Sequence, residues 1–165
     1  MKNNTIQTTP NKFIKTISII HLGMLIGPIL FGFVTYSQAK NSFQDFSNTT
    51  DVFLIVVPIF ALSGIFMGNL LFNKLVKSAT KAEGLKPKLA SFQTASLIRY
   101  ALIEGPAFFG VITFQITENL TYLYIAGVLI LFLYLLRPTK DKIERGLKLK
   151  GKEKDQFNSL DQPIP

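Results

Sequence analysis

The chain has 165 residues, 48% of them hydrophobic and only 17% charged, with a formal net charge of +8. That length limits it to one domain, and apolar residues gathered into long blocks make a bilayer rather than water the expected solvent. The absence of cysteine excludes a disulfide framework and a thiolate metal site, and a single histidine, His21, cannot build a zinc site, so no metal or cofactor is expected and the redox compartment stays open.

Crossing a hydrocarbon core of roughly 30 Å takes about 20 residues of helix. Four stretches qualify: residues 17–36, "ISIIHLGMLIGPILFGFVTY"; residues 52–72, "VFLIVVPIFALSGIFMGNLLF"; a third that begins between 91 and 97 and ends near 116; and residues 120–136, "LTYLYIAGVLILFLYLL". The first run is followed by "YSQAK", a small-x-small pattern ending at Ala39. It is nevertheless longer than the apolar core of about 7 to 15 residues in a signal peptide, so it is read as a span that stays.

Basic residues set the orientation, because they are retained on the cytoplasmic side of short loops. Lys2, Lys12 and Lys15 precede the first span; Lys74, Lys77, Lys81, Lys86 and Lys88 follow the second; Arg137, Lys140, Lys142, Arg145, Lys148, Lys150, Lys152 and Lys154 follow the fourth. The other two loops hold only Lys40. Four spans put all three basic segments on one face, which predicts cytoplasmic termini and a multi-pass protein of the plasma (bacterial inner) membrane. Nucleic acid is not an expected partner: Asp141, Glu144, Glu153, Asp155 and Asp161 interrupt the basic tail, and no aromatic platform accompanies it. Attraction to anionic headgroups accounts for the charge. Residues 155–165, "DQFNSLDQPIP", read as a disordered tail.

Setting "TISIIHLGMLIGPILFGFVTY" (16–36) over "TASLIRYALIEGPAFFGVITF" (94–114), without a gap, matches Thr, Ser, Gly-Pro, Phe-Gly and Thr. A second echo follows in "GLKPK" (84–88) and "GLKLK" (146–150). The expected fold is therefore all-α: a four-transmembrane-helix bundle built from two tandem-repeated helical hairpins, residues 16–88 and 94–150, within one membrane domain over 1–154. Two spans per unit make the copies parallel.

In this register Ile26 stands where the second copy has Glu104, inside "RYALIEGPAFFG" (99–110). A charge at mid-membrane costs on the order of 2.5 to 3.5 kcal/mol, so such a residue faces the protein interior or water and marks function. A carboxyl that is accessible both charged and neutral can carry a proton. Tyr100, Ala101, Ala107 and Phe108 share its face, while Gly105 and Pro106 follow it. Pro106 donates no hydrogen bond to the carbonyl of Leu102 and bends the helix beside the acid. The structural alternative is a neutral Glu104 bonded to that freed carbonyl, orienting two hairpins. Arg99 lies five residues away, about 140° around the helix, so it is not paired with Glu104 and snorkels to the headgroups. His21, at the position equivalent to Arg99, is expected to make an interfacial hydrogen bond, with a proton relay to Glu104 as the alternative.

Small residues spaced by four, Gly23 with Gly27, Gly64 with Gly68 (and Ala61) and Ala101 with Gly105, let backbones approach closely. They predict a compact bundle and a homo-oligomer or a partner in a membrane complex. The fourth span is bulkier and is expected to face lipid.

Residues 61–112, "ALSGIFMGNLLFNKLVKSATKAEGLKPKLASFQTASLIRYALIEGPAFFGVI", resemble the hairpin of a rotary ATPase c-type proteolipid: a glycine-spaced helix, a polar loop, then an acid-bearing helix with a small-aromatic-glycine run. The resemblance implies that Glu104 is an ion-carrying carboxyl. The two-repeat vacuolar form of that family also has four spans and a carboxyl missing from one copy. This chain departs from the family in placing the acid on the first helix of its second unit and in carrying the basic tail 137–154. Enzyme chemistry is not expected, since no nucleophile–base pair, carboxylate pair, phosphate loop or metal cluster is present. The expected activity is proton- or cation-linked transport or channel function, with a non-catalytic structural or accessory subunit as the alternative.

Overall fold

The computed structural model describes residues 9–48 and 50–164; Lys2, with the rest of residues 1–8, lies outside them. Over the described residues the chain forms α1 (Pro10–Gln38), α2 (Phe53–Ala79), α3 (Leu85–Thr117), α4 (Thr121–Leu135), α5 (Lys140–Leu147) and α6 (Gly151–Asn158). No strand is present among them; a lone bridge joins Phe43 to Asn119.

The boundaries follow from local chemistry. Thr9 accepts a hydrogen bond from the Lys12 amide and Pro10 opens α1, a pairing that satisfies one orphan donor and removes another. Thr139 caps α5 in the same way. At its far end α3 stops because Glu118 takes the left-handed conformation, φ 56°. The Glu118 carboxylate then accepts from the amides of Lys40 and Asn41 at 3.2 and 3.0 Å. Buried Asn119 holds the same loop, donating to the Asp45 carbonyl at 2.8 Å, and the Tyr122 hydroxyl donates to Asp51. The 39–51 connection is therefore fastened to the α3–α4 turn.

Helices α1, α2 and α3, with 29, 27 and 33 residues, are long and apolar enough to cross a membrane. The outward faces of α1 and α2 carry exposed Ile19, Phe33, Ile55, Leu62 and Phe66, a belt suited to contact with lipid. The chain is thus an all-helical membrane protein. The fourth expected span is shorter than its apolar run. As a helix α4 has 15 residues, about 22 Å at the rise of an α-helix, and α5 leaves it at 77°.

Packing centres on α3. Of its apolar window 44% is buried, against 22% in both α1 and α2. It touches α1, α2 and α4, whereas α1 and α2 occupy different flanks and share no substantial interface. The first expected hairpin, α1 with α2, is therefore not a packing unit; α2 instead makes the largest interface, with α3. The physical reason lies in the connections: the 39–51 loop spans a gap between α1 and α2, while residues 80–84 hold α2 directly against α3. Nor is α4 wholly turned to lipid, since Tyr122, Ala126, Leu129 and Leu133 are buried against its neighbours.

At one end Phe13, Val76, Leu89, Phe92, Ile143, Leu147 and Phe157 form a single cluster, gathering the start of α1, the end of α2, the start of α3 and both short helices. Where a disordered tail was expected from residue 155, the last turn of α6 and the segment to Ile164 are docked on this cluster, with Phe157 fully buried. Two apolar side chains in a polar stretch suffice for that. Lys88 clamps the helix to α3 through Glu153 at 2.6 Å. On the surface beside it, Lys154 pairs with Glu144 at 2.8 Å and holds that carboxyl below the usual range.

Phe157→Ala should remove on the order of 3 kcal/mol of local packing, enough to release α6 while leaving the apolar helices folded. Limited trypsin digestion checks this. Cleavage at Lys150, Lys152 and Lys154 accelerates in the variant, and the mass of the core fragment is unchanged.

Candidate functional site

The candidate site is the seam between α1 and α3. Gly27 stands at the middle of the 17–36 apolar run, Gly64 near the middle of 52–72, and both face residues 102–108 of α3. Glu104 is therefore at mid-depth of the apolar region. Its side chain turns toward α1. A Cβ placed on Gly27 would stand 3.6 Å from Glu104 Oε1 and 3.2 Å from Cζ of Phe108, so the glycine makes room for the acid and the ring.

Glu104 is half-buried and has no hydrogen-bond or ion-pair partner among the described residues. Arg99 Nε is the only fully enclosed side-chain nitrogen or oxygen there without a partner, so the equally unpartnered carboxyl oxygens keep accessible surface. Small exposed residues lie on both helices of the seam, among larger ones such as Ile26 and Leu30. Gly23, Ala101 and Gly105 are exposed, and a Cβ added at either glycine would meet nothing within 4 Å.

The bond between Glu104 and the Leu102 carbonyl that the structural alternative called for is not formed among the described residues. Two residues along a helix are about 200° apart, so that carbonyl and the carboxyl face different neighbours. The carbonyl that Pro106 leaves free is covered by Gly64 of α2, closely enough that a Cβ there would run into Leu102 O and stand 2.8 Å from Pro106 Cγ. Gly68 lies one turn further on, where a Cβ would be 3.3 Å from Arg99 O. Thus Gly64, Gly68 and Gly27 all face α3, and Gly23 faces outward.

His21 is enclosed by the protein and makes a hydrogen bond near the end of α4. It is 3% exposed, donates from Nε2 to the Leu133 carbonyl at 2.9 Å, and packs edge-on against Tyr100 with ring centroids 4.8 Å apart. Tyr100 in turn donates to the Leu136 carbonyl at 3.4 Å. The last carbonyls of a helix have no internal donors. Here α1 and α3 each supply one, and the pair ties the end of α4 into the seam one turn from Glu104. No direct hydrogen bond joins His21 to Glu104 among the described residues. Arg99 projects toward α2, its guanidinium 4.7 Å above the Phe72 ring, and leaves Glu104 without a cation.

Gly110 escaped the reading of small-residue pairs. A Cβ there would stand 3.0 Å from the Tyr122 carbonyl and 3.3 Å from Ala126, so it brings α3 and α4 together. Its signal was present in the Phe-Gly echo of the two halves, where it spoke for descent and not for packing. Two cavities of about 300 Å³ flank the His21–Tyr100 pair, one lined by Lys15, Ser18, Tyr134 and Arg137 and the other by Arg99 and Tyr100. Neither is lined by Glu104. No cluster of three metal-ligating side chains occurs among the described residues.

Comparison with protein families, with curated proteins and with solved structures finds no match to this chain.

Proposed function

We propose that this is a four-span protein of the plasma membrane, with both termini cytoplasmic, in which Glu104 binds and releases a proton or cation during transport or channel activity. The observation that carries the reading is a mid-depth carboxyl with no partner and with oxygens open to the outside of the chain. A structural acid at that depth would be expected to have a donor, because an unpaired charge in the apolar region costs on the order of 2.5 to 3.5 kcal/mol. Glu104 has none, which favours a group that changes its charge. The resemblance to the c-type proteolipid hairpin points the same way.

The topology is supported by charge. Lys12 and Lys15 in the first turns of α1, Lys74, Lys77 and Lys81 around the end of α2, and the basic residues after α4 belong to the end of the bundle that holds Phe13, Phe92 and Phe157, while Asp45, Asp51 and Glu118 lie at the opposite end. With Leu136 and the turn to α5, α4 serves as the fourth span, running beside α3 from Gly110 to Tyr100. The tandem repeat is a statement about descent, supported by the aligned Gly-Pro and Phe-Gly pairs, after which the copies diverged into a flanking α1 and a central α3.

A second reading has its own observation. Exposed Ala101 and Gly105 flank the acid along α3 and admit a close helix on that side, so an accessory subunit would place Glu104 against a donor on a second copy or a complex partner. Carbodiimide modification in intact membranes tests the proposal, read by mass spectrometry between about pH 5 and 9, with and without sodium. Labelling at Glu104 that falls as pH rises, or that sodium blocks, is the expected result. Absence of labelling at every pH in folded protein would remove the carrier reading and leave the accessory one.

A further inference from the structure

Where α4 ends and α5 turns away lies a cavity of about 300 Å³ that the Glu104 reading does not use. Phe72, Phe92 and Tyr100 line its apolar part, and Arg99, Lys142 and Arg145 bring three cations to it. No carboxylate is among its lining residues. The acids of the nearby segment are otherwise engaged or turned away: Glu144 pairs with Lys154, Glu153 with Lys88, and Asp141 is exposed. The charged residues of the lining are thus all basic, which suits it to an anion.

Each cation has hydrogen-bonding capacity left. Arg99 stacks on Phe72 at 4.7 Å, which fixes the guanidinium plane, and its Nε is enclosed with no acceptor. Lys142 donates to the carbonyls of Leu135 and Arg137 at 2.8 and 3.1 Å, leaving one of its three protons free. Arg145 is exposed at the rim and has no ion pair among the described residues. Two guanidinium groups and an ammonium in one lining supply the donors that phosphate oxygens accept from. The site also has a depth: Tyr100 and Leu136 mark the end of the apolar stretch of α4, and the basic cluster begins beyond it.

We infer that this cavity binds a phosphate-bearing anion between Arg99, Lys142 and Arg145, with the position of its mouth at the apolar boundary matching an anionic phospholipid headgroup. Its two chemical sources, a lipid phosphodiester and free phosphate, are separable.

The experiment is native mass spectrometry of the full chain released from detergent. Dioleoyl phosphatidylglycerol, dioleoyl phosphatidylcholine or inorganic phosphate is added in turn, for the wild type, Arg99→Gln/Arg145→Gln, Lys142→Gln, and a Lys148→Gln/Lys150→Gln control of equal charge change outside the cavity. The expected result is preferential retention of phosphatidylglycerol, reduced about tenfold in Arg99→Gln/Arg145→Gln, as for lost charge-assisted bonds, and less in Lys142→Gln. The control retains it. Inorganic phosphate retained with the same dependence on the two arginines, and no lipid preference, would support the site with a soluble anion as its source. Retention unchanged in the arginine variants, or reduced equally in the control, overturns the inference, because only general surface charge would then be at work. Circular dichroism confirms equal helix content in each variant.

Discussion

Gly64→Ala should loosen α2 from α3 and lower stability by of order 3 kcal/mol, the upper end of what overpacking costs, although alanine is the better helix former. The added Cβ would be forced into the Leu102 carbonyl and against Pro106 Cγ. Neither can yield cheaply: the first is backbone, and the second belongs to the ring that left the carbonyl without its donor. Gly105→Ala and Gly23→Ala are the internal comparison, since a Cβ at either meets nothing within 4 Å. Those two should lie within about 0.5 kcal/mol of wild type, as surface changes do. Unfolding in mixed micelles with increasing dodecyl sulfate, followed by circular dichroism, checks all three. Equal stability of Gly64→Ala and Gly105→Ala would mean that α2 does not pack on α3 through this face.

Glu104→Gln should abolish proton or cation flux in reconstituted vesicles, down to the level of protein-free vesicles, while stability stays the same or rises. Glutamine keeps the shape and the hydrogen-bonding oxygen but cannot ionise, so it removes an unpartnered acid whose charge costs on the order of 2.5 to 3.5 kcal/mol at mid-membrane. A residue kept for packing would behave in the opposite way, losing stability and sparing function. The measurement pairs a pH-sensitive dye inside vesicles with the same micellar unfolding series. Wild-type flux undiminished by the substitution would transfer the role of this surface to docking. The accessory reading then predicts that Gly105→Leu, which fills the open face beside the acid, disrupts association and leaves the isolated chain folded.

How far the chain is legible from its residues differs from element to element. Long apolar runs bounded by polar residues can do little other than cross a membrane as helices, because lipid offers the backbone no other partner. Hence α1, α2 and α3 could be placed from hydropathy, and Glu104 stood out as an acid inside one of them. Spacing also separated Arg99 from Glu104, since angle around a helix follows from residue number alone. Partnerships across helices were a different matter. Nothing local says that His21 and Tyr100 reach the carbonyls of Leu133 and Leu136, because both acceptors belong to a helix far along the chain.

The tail shows the same division. Residues 155–164 are polar on average, and only docking on Phe13, Phe92 and Leu147 makes Phe157 and Ile164 into core. By itself the sequence determined an all-helical membrane chain with an acid at mid-depth and basic residues gathered in three segments. Tertiary structure alone decided that α3 is the central helix, that α1 and α2 do not form a hairpin, that Gly64 covers the carbonyl freed by Pro106, and that Arg99 turns to Phe72 while Glu104 turns to Gly27. Hydrophobic burial into lipid depends on the composition of a segment, and a segment carries its composition with it. Which faces meet depends on the fit of surfaces that come together only when the whole chain has packed.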